Sequence, residues 1–102
     1  NQYYNNWVAS YAGRVRKIVM RNLGSGTAPT ATTVNFRVSV NGSVVHTGST
    51  ITVTGSGLNI LASETLSDTD AVFSATDRVQ VAYRTNGLWQ YAATSISLEY
   101  TE

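Results

Sequence analysis

Cysteine is absent from the 102 residues, which removes disulfide staples, thiolate metal sites and thiol nucleophiles together. Histidine occurs once, at His46, so a zinc site lacks the second imidazole or the thiolates it normally needs. Charged residues make up 13%, about half the usual share, and the surface is left largely to Ser, Thr, Asn and Gly. Such a neutral polar coat suits a virion or extracellular protein. A net charge of +1 is too small for a surface that tracks phosphates without regard to sequence. No apolar run approaches the roughly 18 residues of a membrane span, and no stretch has the form of a signal peptide. Neither nucleic acid nor membrane insertion is therefore expected. The glycines follow no phosphate-loop pattern, and no cofactor is expected.

What the chain does have is period-two alternation. From Val34 to Val40 apolar residues fall on every second position, with Asn35, Arg37 and Ser39 between them, the pattern of a strand buried on one face and wet on the other. Asn41-Gly42 follows, the dipeptide that most easily takes positive φ at both hairpin positions, and predicts a tight reversal into Ser43 to His46. Val34, Phe36, Val38 and Val40 then face the core, since a slip of one residue would put all four in water.

Further strands are expected at Trp7 to Ala12, Arg14 to Arg21, Thr50 to Thr54, Leu58 to Leu66, Ala71 to Phe73, Arg78 to Arg84 and Thr94 to Tyr100. Trp7, Ala9 and Tyr11 share one side of the first. In the second, Val15 is out of phase with Ile18 and Met20, and a bulge near Arg16-Lys17 would reconcile them. Leu58, Ile60 and Leu66 share a phase, although a short helical turn at Ala62 to Thr65 is the alternative. Val79, Val81 and Tyr83 face inward, as do Ile96, Leu98 and Tyr100. Asn22 to Ala31, with Gly24, Gly26 and the single proline Pro29, is predicted to be a loop. Gly55-Ser56-Gly57, Asp68 to Asp70 and Thr85-Asn86-Gly87 are predicted turns, and Leu88 to Ala93 a loop or irregular strand.

About eight short strands, punctuated by Gly, Asn and Asp, with no stretch of helical period, predict an all-β antiparallel sandwich of jelly-roll-like form. Residues 1–6 are expected to link residues 7–102, one sandwich domain, to a longer parent chain, because the sequence begins at Asn1 rather than Met. The last strand ends two residues before Glu102, where a natural C-terminus is expected.

Charge is unevenly spread. Arg14, Arg16, Lys17, Arg21 and Arg37 are five of the seven cations, whereas Glu64, Asp68, Asp70 and Asp77 cluster later. Cross-strand or intersubunit pairing between the two groups explains this better than a basic nucleic-acid face. The acidic residues offer no spacing that singles out a general acid and base. Asp68-Thr69-Asp70 with Asp77 has the donors for calcium, but D-x-D in a loop is more often turn capping. His46 reads as an ordinary strand residue, and no catalytic or metal-binding residue is expected.

Aromatic residues carry the strongest functional signal. Trp89 and Tyr91 flank Gln90 just after Asn86-Gly87, and with Tyr83, Arg84 and Asn86 they lie around the last hairpin. Flat rings beside amides and a guanidinium suit sugar binding, because pyranose C–H faces stack on the ring while polar groups take the hydroxyls. Trp89 and Tyr91 covering one end of the core or a subunit interface is the competing explanation.

The run Tyr11-Ala12-Gly13-Arg14-Val15-Arg16-Lys17-Ile18, then Thr33 to Gly42, then Phe73-Ser74-Ala75-Thr76-Asp77-Arg78-Val79-Gln80-Val81 resembles the small β-sandwich at the distal ends of bacteriophage tail fibres and tailspikes. A Gly-started basic strand, a strand ending in Asn-Gly, and a Gly-Asp step into a hydrophobic strand carry the likeness, with Thr76 standing where that step has Gly. The resemblance implies a homotrimer at a fibre or spike tip, serving trimerisation, attachment to host-surface polysaccharide or lipopolysaccharide, or both, without catalysis. A carbohydrate-binding module from a secreted polysaccharide-degrading enzyme and a purely structural virion trimerisation domain are the other readings.

Overall fold

The computed structural model describes residues 2–22, 27–56, 61–86 and 92–101. They form nine strands: β1 (Gln2–Val8), β2 (Gly13–Asn22), β3 (Thr27–Val40), β4 (Ser43–Thr47), β5 (Ile51–Ser56), β6 (Leu61–Thr65), β7 (Val72–Phe73), β8 (Arg78–Asn86) and β9 (Ala92–Tyr100). In the first sheet β3 is central. Its one edge pairs with β8, which pairs with β1 beyond, and its other edge with β5 and then β4. In the second sheet β2 is central, with β9 on one edge and β6 and β7 on the other. All pairings are antiparallel. The chain crosses repeatedly between the sheets, which makes the sandwich jelly-roll-like.

Alternation explains what lies between the sheets. Val34, Phe36 and Val38 of β3 and Val79, Val81 and Tyr83 of β8 meet Val15, Ile18 and Met20 of β2, with Ala62, Leu66 and Phe73, in one buried cluster. Each Val or Ile fully removed from water stabilises the fold by about 1.5–3 kcal/mol before entropy is counted. Val40, Ile96 and Leu98 pack on this cluster from its margin. The bulge in β2 lies between Val15 and Lys17, and it lets Val15 and Ile18 face the same core despite their odd spacing.

Several boundaries differ from the expectation. The segment predicted to be a linker is β1 from Gln2 onward, hydrogen-bonded to β8, and the strand ends at Val8 rather than Ala12. Asn5 and Asn6 hid it, since polar residues on an outer strand leave no apolar period. Asn22 belongs to β2, and Thr27 to Ala31 extend β3 where a loop was predicted. The β3–β5 register is irregular between Ala28 and Thr32, an interruption in the ladder that accommodates Pro29 and its missing N–H. Gly55, Ser56, Thr85 and Asn86 are likewise strand rather than turn, and Ala92 and Ala93 take the strand alternative. The helical alternative at Ala62 to Thr65 gives way to β6. Tyr100 is not buried: it is 48% exposed, its ring edge-on to that of Tyr11 at 5.7 Å. Gly57, Leu58, Ile60, Gly87 and Leu88 lie outside the described residues.

The β3–β4 reversal has Asn41 at φ 52° and Gly42 at φ 87°, the paired positive φ that Asn-Gly accepts. This tip is tied to the turn before β8. Asn41 donates its side-chain N–H to Asp77 Oδ1 at 2.9 Å, the Arg78 N–H donates to Asn41 Oδ1 at 2.9 Å, and the Ser74 N–H donates to Asp77 Oδ2 at 2.8 Å. The bonds from Ser74 and then Asn41 hold the Asp77 carboxyl below its ordinary value. A carboxylate with a depressed folded-state pKa contributes stability that is complete above its unfolded value and is lost as pH falls through the folded one. The thermal midpoints of the wild type and Asp77→Ala should therefore differ by a constant amount between neutral pH and about pH 5, and converge below about pH 4.

Thr76, in the same turn, has φ 72°. A β-branched residue in that region is strained by about 1–3 kcal/mol. Glycine relieves the strain, less about 0.5–1 kcal/mol of added chain entropy. Thr76→Gly is expected to stabilise the protein by about 1 kcal/mol, measured as a raised urea midpoint with unchanged slope.

Candidate functional site

Because Val34, Phe36 and Val38 point inward, Asn35 and Arg37 stand on the outer face of the first sheet. The same alternation in β8 places Ala82 and Arg84 on that face. Register brings them together: Arg37 is opposite Ala82 on one side and Thr47 on the other, and Asn35 is opposite Arg84. Ala82 is opposite Tyr4 of β1, whose ring is 51% exposed. One methyl group among long side chains leaves a recess. A cleft of about 270 Å³ opens there, lined by Asn35, Arg37, Thr47, Ala82 and Arg84 together with Phe36 and Tyr83. Asn35 Nδ2 donates to Thr50 Oγ1 at 2.9 Å, which orients its amide.

The cleft has no acidic counter-charge among the described residues. Asp68 and Glu99 pair with Arg14, Glu64 and Asp70 with His46, and Asp77 binds Asn41 and the Ser74 N–H. Arg37 and Arg84 thus line the recess with no acidic partner among the described residues. Arg14, by contrast, realises the expected cross-strand pairing within one chain, with Nη2 3.1 Å from Asp68 Oδ1 and Nε 3.1 Å from Glu99 Oε1.

Of the residues singled out in the sequence, Arg84 lines the cleft. Tyr83 lines it too, but its ring is 8% exposed and stacks edge-on against Phe36 at 6.4 Å, so it serves the core and not a surface platform. Asn86 ends β8 opposite Thr33. Trp89 and Tyr91 lie outside the described residues. Sequence reasoning passed over Tyr4, Asn35, Arg37, Thr47 and Ala82, which register alone assembles.

His46 is no ordinary strand residue. Its Nε2 meets the Glu64 carboxylate and its Nδ1 lies 3.3 Å from Asp70 Oδ2, so a residue of β4 bridges to β6 and the turn after it, joining the two sheets at one edge. The cluster is a seam between the two sheets. The carboxylates lie at opposite nitrogens and do not converge on one ion. Asp68, Asp70 and Asp77 likewise turn to three different partners, Asp77 alone of the three being shown to cap a turn, through the Ser74 N–H, and no metal-ligating group forms among the described residues.

No protein-family model matches this chain, and neither a curated protein nor a solved structure matches it.

Proposed function

We propose that this domain is a noncatalytic attachment module that binds host-surface glycan, of the kind found at the tips of phage tail fibres and tailspikes, and that it works as a homotrimer. The observation that carries the reading is the recess over Ala82, with guanidinium, amide and hydroxyl groups around it and the exposed Tyr4 ring across from it. These are the group types that take a pyranose: a flat apolar face for its C–H groups, donors and acceptors for its hydroxyls. The volume of about 270 Å³ falls just below the range of small-ligand sites, about 300 to 1,000 Å³, and suits a single sugar residue better than an extended chain. One such contact is weak, and three linked copies supply the avidity that adhesion needs. Val8, Val44, Leu61 and Val72 are exposed on the single chain, apolar surface that a trimer has available to bury.

A glycan array with the purified domain tests the reading. Tyr4→Ala is expected to weaken the bound glycan about ten-fold, while its thermal midpoint moves by no more than about 4 °C. Trp89→Ala is the companion variant, because the chain runs from Arg84 in the cleft to Trp89 within five residues. Lost binding with an unchanged midpoint puts Trp89 at the sugar, and a lowered midpoint with binding intact puts it in the core or an interface. Light scattering should return three copies per particle. A domain that retains no glycan on the array refutes attachment through sugar, and a monomer at micromolar concentration refutes autonomous trimerisation.

A further inference from the structure

We infer that Arg37 and Arg84 form a clamp for an oxyanion carried by the sugar, a carboxylate or a phosphate substituent, so that the cleft selects acidic over neutral saccharides. The inference rests on the glycan reading and narrows it. Arg37 is opposite Ala82 and Arg84 is opposite Asn35, which makes the two arginines diagonal neighbours on adjacent strands, about 7–8 Å apart in such a ladder. Ala82 and Asn35 take the other two corners of that quartet, and both arginines line the same recess.

Two like charges at this spacing disfavour the folded state slightly. Every acidic side chain among the described residues is engaged elsewhere. An uncompensated pair that costs stability and lines a cleft is what a binding site looks like before its ligand arrives. Neutral hydroxyls do not require it, since amides and hydroxyls such as those of Asn35 and Thr47 hydrogen-bond them. A guanidinium instead matches the two oxygens of a carboxylate or phosphate with parallel N–H donors, an interaction about twice as strong as a neutral hydrogen bond. The recess therefore takes the charged substituent between the arginines, with the sugar ring directed toward Tyr4.

Calorimetric titration of the intact domain with four probes tests this: free glucuronate, a glucuronic acid oligosaccharide, a phosphorylated oligosaccharide and a neutral glucose oligosaccharide of the same length. At least one acidic probe is expected to bind about ten-fold or more tightly than the neutral one, and which of them does so identifies the oxyanion. Raising the salt concentration should erode that preference. Arg84→Gln and Arg37→Gln should each abolish it, with the low-salt thermal midpoint unchanged or slightly raised, whereas Arg21→Gln on the second sheet should leave it intact. Arg84→Lys, which keeps the charge but not the fork, should recover only part of it. Equal binding of acidic and neutral probes, or a preference that survives both glutamine variants, overturns the clamp and leaves glycan attachment standing. Binding of free glucuronate without binding of any oligosaccharide supports the clamp and overturns attachment, and no binding of any probe overturns both.

Discussion

Phe36→Ala is expected to lower the unfolding free energy by about 3–5 kcal/mol, a large fraction of the 5–15 kcal/mol that holds a domain of this kind together. Phe36 is among the largest fully buried side chains. Its ring meets Tyr83 edge-on, with 65° between the planes. Val34 and Val38 flank it on the same face of β3, and the core of β2 lies across the sandwich. Removing the ring loses its transfer free energy and leaves a cavity that two hydrogen-bonded sheets cannot collapse to fill. Phe36→Leu keeps most of the volume and should cost about 1.5 kcal/mol or less. Urea unfolding measures both, with a lower midpoint and an unchanged slope. A loss below about 1 kcal/mol for the alanine variant would mean that Phe36 is not at the centre of the core.

Gly13→Ala should cost about 2–3 kcal/mol, by excess volume rather than by lack of it. Gly13 begins β2 between two neighbours, paired with Phe73 of β7 on one side and Tyr100 of β9 on the other. A β-carbon there overlaps the Glu99 carbonyl oxygen and comes within 3.0 Å of the Tyr100 Cα. Both are backbone atoms, so no change of rotamer relieves the collision. β9 has to move outward, and the 3.1 Å contact between Arg14 and Glu99 loosens with it. The thermal midpoint should fall by about 10–20 °C. A midpoint within about 2 °C of the wild type would show that the β2–β9 pairing yields at this end.

Most of the strands were legible because one-sided burial writes a period of two into the chain. Val34 to Val40, Arg78 to Arg84 and Thr94 to Tyr100 show it, and Val15 against Ile18 even located a bulge. Where the period was missing the reading failed. Gln2 to Asn6 is a polar strand, and Thr27 to Ala31 contains a proline that a strand accepts only at an irregularity. Tyr100 carried the right phase for burial yet is half exposed, its ring against that of Tyr11. The site was less legible than the fold. Arg84 stood out beside the aromatic cluster, but Arg37 is far from it in sequence, and nothing about Ala82 marks a small residue as the floor of a cleft.

The sequence by itself determined that this is an all-β antiparallel sandwich with no thiol chemistry, which faces of β3 and β8 are buried, and where the Asn41-Gly42 reversal falls. Those properties follow from local steric rules and from the alternation of side chains along one strand. Tertiary structure decided which strands become neighbours and at what register, and hence that Arg37, Arg84, Asn35, Thr47 and Tyr4 surround Ala82 and that His46 meets two carboxylates. The physical reason is that strand pairing joins residues far apart in the chain through backbone hydrogen bonds that are the same for every side chain. Register is chosen by the buried face, and the groups on the outer face are carried into place with it.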